Sequence, residues 1–98
     1  MPYINESARL ELDDCIDNMV ECLTHGNDVS NEEFTVLLGE INYCFSRILA
    51  KSMGSTSYSK IAMITGVLEN IKQEFYRRIA ASYEDKKIVE NGDIKEYR

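Results

Sequence analysis

The chain has 98 residues, a formal net charge of −6, 44% hydrophobic and 29% charged side chains, which is an ordinary globular composition with room for one domain and a modest core. No apolar run approaches the roughly 18 residues that a membrane span needs, and the opening Met1-Pro2-Tyr3-Ile4-Asn5-Glu6 has neither the basic region nor the apolar segment of a secretory signal, so a reducing cytoplasm is expected. So acidic a chain offers no broad basic stripe to displace counterions, which disfavours duplex nucleic acid as a partner.

A first helix is expected from about Glu6 to about Thr24, with Asn5 as its cap and Leu12, Cys15, Ile16, Met19 and Leu23 as its inward stripe. His25-Gly26-Asn27-Asp28 stops it. Residues 1–29 hold seven acids (Glu6, Glu11, Asp13, Asp14, Asp17, Glu21 and Asp28) against Arg9 alone. Such an acidic helix is either a solvated face or a set of magnesium ligands. Glu11, Asp14, Asp17 and Glu21, at spacings of three, three and four, share one side of it.

The second helix begins at Ser30, where Ser30-Asn31-Glu32-Glu33 has the form of a capping box. Its stripe is Phe34, Leu37, Leu38, Ile41, Phe45, Ile48 and Leu49. Met53-Gly54-Ser55-Thr56-Ser57 then forms a short polar loop that turns the chain into an antiparallel hairpin, with Ser57 capping the third helix. Gly39 and Gly66 stand in helix interiors, where each costs about 1 kcal/mol relative to alanine. Close helix approach is the expected compensation.

From Tyr58 the spacing of Ile61, Ile64, Leu68, Ile71, Phe75 and Ile79 draws one apolar stripe down a long helix that ends in Glu74-Phe75-Tyr76-Arg77-Arg78. The chain beyond it is expected as a tail, frayed or folded back through the turn signal Asn91-Gly92-Asp93, with Tyr83, Ile88, Val89, Ile94 and Tyr97 as its apolar handles. The resulting expectation is an all-α antiparallel three-helix domain over residues 1–83, containing a long helical hairpin, and a C-terminal tail over 84–98. The tail docks on the domain or on a neighbouring subunit.

Chemistry is sparse. Cys15, Cys22 and Cys44 are read as small core hydrophobes; Cys22 and the single histidine, His25, are three apart but lack a matching metal-ligand pattern. No nucleophile system and no glycine-rich phosphate loop occurs. Tyr43 and Arg47, four apart, and Tyr76 with Arg77 and Arg78 combine flat phenol faces with bidentate guanidinium groups, a pairing suited to anionic nucleotides.

Several segments together carry a resemblance: the Met1-Pro2-Tyr3-Ile4 start, Gly39-Glu40-Ile41-Asn42-Tyr43 with Arg47-Ile48-Leu49, Gly66-Val67-Leu68-Glu69, Glu74-Phe75-Tyr76-Arg77-Arg78, Tyr83-Glu84-Asp85 and Asn91-Gly92-Asp93. Over nearly its whole length the chain resembles a family of small uncharacterised helical proteins of prokaryotes and their viruses, departing from it at Phe45-Ser46 and Ala81-Ser82. The resemblance implies that Asn42, Tyr43, Glu69, Tyr76, Arg77, Arg78, Tyr83 and Asp93 act together. With Arg47 added from its pairing with Tyr43, these are the expected ligand-binding residues.

The expected function is that of a small non-catalytic binding protein, of viral type, that self-associates and either sequesters an anionic small molecule such as a nucleotide signal or blocks a host protein. No catalytic residue, metal ligand or cofactor is assigned. The alternatives are a magnesium-dependent all-α nucleotide pyrophosphohydrolase built on Glu11, Asp14, Asp17 and Glu21, from whose paired-glutamate motif Glu32, Glu33 and Glu40 depart in spacing, and a purely structural oligomer.

Overall fold

A computed structural model describes residues 4–98, so the Met1-Pro2-Tyr3 part of the resemblance lies outside the described residues. The described chain is all-α: α1 (Glu6–Thr24), α2 (Asn31–Met53), α3 (Tyr58–Phe75), a π-helical turn (Tyr76–Ala80), α4 (Ala81–Asn91) and a short 3-10 turn (Lys95–Tyr97). Among the described residues no helix is long and apolar enough to cross a membrane. The chain divides into two compact units, one ending at Lys60 and the other running from Ile61 to Arg98.

In the first unit the local signals act as their chemistry requires. Asn5 has an extended backbone and accepts the Ala8 N–H at 2.9 Å, so one of the free amides of the first turn is satisfied. At the other end His25 adopts φ 56, the left-handed conformation that closes a helix, and Gly26 follows at φ 72. Ser30 Oγ accepts the Glu33 N–H at 3.2 Å, the hydroxyl half of the capping box.

The turn after α2 is fastened by a residue with no evident role in the sequence. Lys60 donates its ammonium to the carbonyls of Met53 and Ser55 at 2.9 and 3.0 Å, while Ser57 Oγ caps the Lys60 N–H at 3.3 Å. A cation on the last carbonyls of a helix offsets their partial negative charge.

α1 and α2 pack on each other, and Leu37 is the one buried side chain among the described residues. The stripes predicted as core are real but uncovered: Leu12, Ile16, Phe34, Leu38 and Phe45 each stay about half exposed. Cys15 and Cys22 are likewise exposed and Cys44 half-buried, which corrects the reading of the cysteines as core residues. The physical reason is that one helix covers only part of another's apolar stripe, and the remainder needs a further layer.

Gly39 and Gly66 also differ from expectation. A Cβ built at either meets nothing within 4 Å, so neither glycine marks a close helix approach within its own unit.

The second unit is one continuous run of helical backbone through α3, the π turn and α4, since Phe75, Ala80 and Ala81 all keep right-handed helical angles. Its helix therefore passes through the expected domain boundary at residue 83 and ends at Asn91, where Gly92 takes φ 83 and its N–H reaches the Ile88 carbonyl at 2.8 Å. The tail that folds back is shorter than the sequence suggested. It consists of Asp93 and the turn after it.

Candidate functional site

Two concave surfaces stand out, one in each unit. The first is an apolar groove of about 490 Å³ between α1 and α2, floored by Leu12, Ile16 and Met19 from one helix and Ile41, Phe45 and Ile48 from the other, with Cys15 on its wall. The 3.6-residue period creates it. Residues three and four apart on each helix line up on one side, and the two stripes together line the trough. Its chemistry is that of a seat for apolar side chains.

No acid lines this groove. Glu11, Asp13, Asp14, Asp17 and Glu21 on α1 are all exposed. Among the described residues no group of three or more His, Cys, Asp or Glu side chains is arranged to hold a metal ion, and this covers both the α1 carboxylates and the Cys22–His25 pair.

The second concavity, about 450 Å³, lies where the last residues return along α4, and is lined by Tyr83, Lys87, Ile88, Asp93, Ile94 and Tyr97 among others. The turn is built from its own backbone: Asp93 Oδ1 accepts the Ile94 N–H at 2.8 Å, Tyr97 N–H reaches the Ile94 carbonyl at 3.2 Å, and Arg98 donates to the Asp93 carbonyl at 3.2 Å. Lys87 stands over the Tyr83 ring at 5.5 Å and pairs with Glu90 at 3.1 Å, so its charge is engaged twice.

The nine residues singled out in the sequence fall into both units. Asn42, Tyr43 and Arg47 belong to α2, where Arg47 lies over the Tyr43 ring at 5.9 Å and Asn42 Oδ1 accepts the Ser46 hydroxyl at 3.2 Å. The other six belong to the second unit, in which Tyr83 and Asp93 meet in the C-terminal groove and Glu69 accepts from Gln73 at 3.2 Å. Arg77 and Arg78 both turn to the half-buried Glu74, Arg77 donating from its single Nη2 to both carboxylate oxygens at 3.0 and 2.9 Å.

Tyr76 is placed by the π turn. Its hydroxyl donates to Glu84 Oε1 at 2.8 Å, eight residues on, and this bond, followed by the carboxylate's negative charge, raises the phenol above its ordinary pKa. Sequence reasoning missed Glu84 as the partner of Tyr76, because the two meet across a π turn, and Lys60, which acts across a loop; Lys87, four residues from Tyr83 and three from Glu90 on α4, lay within reach of helical periodicity and went unread. The groove residues were seen, but as interior.

Helix, turn and groove together define a class: an all-α chain of amphipathic helices whose apolar stripes stay open at the surface. Within that class the chain belongs to the family described as "Domain of unknown function (DUF6899)", which matches residues 1–94. No curated protein and no solved structure matches it.

Proposed function

We propose that this protein is a non-catalytic binding module that takes the apolar face of another protein's amphipathic helix into the α1–α2 groove. The observation that carries this reading is the groove itself, about 490 Å³ and walled almost entirely by apolar side chains. A helix presenting residues at i, i+3, i+4 and i+7 is the ligand such a trough fits. The charge of the unit selects among helices. Ten acids against four bases up to Lys60 favour a partner whose flanks carry Lys and Arg. The prokaryotic or viral setting that the resemblance implies suits a small chain that blocks a host protein in this way.

The test is fluorescence anisotropy with a labelled, basic amphipathic peptide of about 20 residues, set beside the same apolar face with acidic flanks. The basic peptide is expected to bind in the micromolar range, more weakly at high salt, and Ile16→Glu to weaken it more than tenfold. Equal binding of both peptides, or none, overturns the reading. Calorimetric heat with a nucleotide that disappears in Arg77→Ala would move it to sequestration of an anionic small molecule.

A further inference from the structure

We infer that the long helix from Tyr58 to Asn91 is a seam along which copies of this chain pair, a self-association separate from the groove of the first unit. The first ground is the pattern. Ile61, Ile64, Leu68, Ile71 and Phe75 follow one another at three, four, three and four residues, the a and d positions of a heptad.

After Phe75 the spacing becomes four and four, to Ile79 and Tyr83. In an unbroken α-helix one extra residue swings a stripe about 100° away. Here the extra residue coincides with the π turn at Tyr76–Ala80, whose wider ring, closed by the Ala81 N–H on the Tyr76 carbonyl, takes up one residue more than an α turn. The sequence irregularity and the backbone irregularity therefore cancel, and Ile79 and Tyr83 continue the line. A helix with nothing to pack along that line has no use for the correction.

Register is the second ground. A copy of the same helix presents a stripe of the same spacing and the same length, Ile61 to Tyr83, ~33 Å at about 1.5 Å per residue.

Exposure and charge agree. Ile61, Leu68, Ile71, Phe75, Ile79 and Tyr83 are each 41–63% exposed. From Ile61 onward seven acids balance seven bases, so two such units meet without net repulsion, whereas two α1–α2 units would each bring six uncompensated negative charges. Leu68 at an a position with Ile64, Ile71 and Ile79 at d favours more than two strands.

Sedimentation equilibrium of the full chain between about 1 and 100 µM tests this. The expected mass is two to four times 11.3 kDa, with a thermal midpoint that rises with protomer concentration, because association stabilises only the folded form. Ile71→Glu should lower the mass to that of one chain or weaken association more than a hundredfold, while Gln73→Glu, off the seam, leaves it unchanged. If Ile71→Glu unfolds, Ile16→Glu separates the two surfaces: lying in the groove, it leaves the mass and the rising midpoint unchanged if the seam carries the pairing, and their loss in it overturns the inference. A single-chain mass at 100 µM with a midpoint independent of concentration overturns it, and so does an unchanged mass in Ile71→Glu.

Discussion

The two units of the chain manage charge in opposite ways. Up to Lys60 the acids outnumber the bases and stay in solvent, with Arg47 resting on a phenol ring. From Ile61 on, opposite charges find one another within a turn or two: Lys72 with Glu69, Arg77 and Arg78 with Glu74, and Lys87 with Glu90. Exposed pairs of this kind contribute only about 0.3–0.5 kcal/mol each, so they do not hold the helix together. Their effect is on recognition. A surface whose charges are already answered can meet a copy of itself, and a surface of one sign repels a copy and attracts the opposite sign.

Neither unit covers its own apolar stripe, and the difference between them is sharpest at Leu37. It is 8% exposed, the one buried side chain among the described residues, and it lines a small cavity with Leu23 of α1 and Val29. Leu37→Ala is expected to cost about 2–3 kcal/mol, the low end for a buried leucine because the site can partly collapse. Urea unfolding at fixed protomer concentration reads this. A loss under about 0.5 kcal/mol would mean that the first unit is not held at Leu37.

The same comparison explains what the sequence made legible. Caps and stops depend on three or four neighbouring residues, so Asn5, Ser30, Ser57 and His25 could be read directly, and all four act as expected. Stripes depend on periodicity alone, and their positions were legible too. Whether a stripe is covered depends on how much chain is left to cover it, which no window of residues reports; hence Cys15, Phe45 and Ile16 read as interior in the sequence and stand exposed in the structure. The π turn was visible only as a spacing of four where three was due. For the candidate site, residue type suggested Arg77, Arg78 and Tyr76 as ligand-binding groups, while their partners, Glu74 and Glu84, lie within hydrogen-bond reach.

Glycine gives a smaller effect of opposite sign. Gly39 lies in α2 with open space where a Cβ would be, on the side of the helix away from Leu37 and Ile41. Gly39→Ala should therefore raise stability by about 0.5–1 kcal/mol, since it removes backbone freedom from the unfolded chain and adds no contact in the folded one. A decrease instead would place a partner against that face, outside the groove.

The finest test concerns the second unit's habit of pairing its polar groups internally. Tyr76 needs its proton to donate to Glu84, so folding favours the protonated phenol and its pKa lies above the ordinary value. The sign follows from linkage. A group whose folded pKa is raised contributes stability that is complete below the unfolded pKa, near 10, and is lost as pH rises through the higher folded value. In an absorbance titration of tyrosinate, one of the six phenols should ionise late, and Tyr76→Phe should remove that late component. Glu84→Gln should bring it back to lower pH, because it removes the negative charge and leaves a weaker acceptor. If the late component survives both changes, Tyr76 is not paired across the π turn, and the turn's part in lining up Ile79 loses the one contact that reports it.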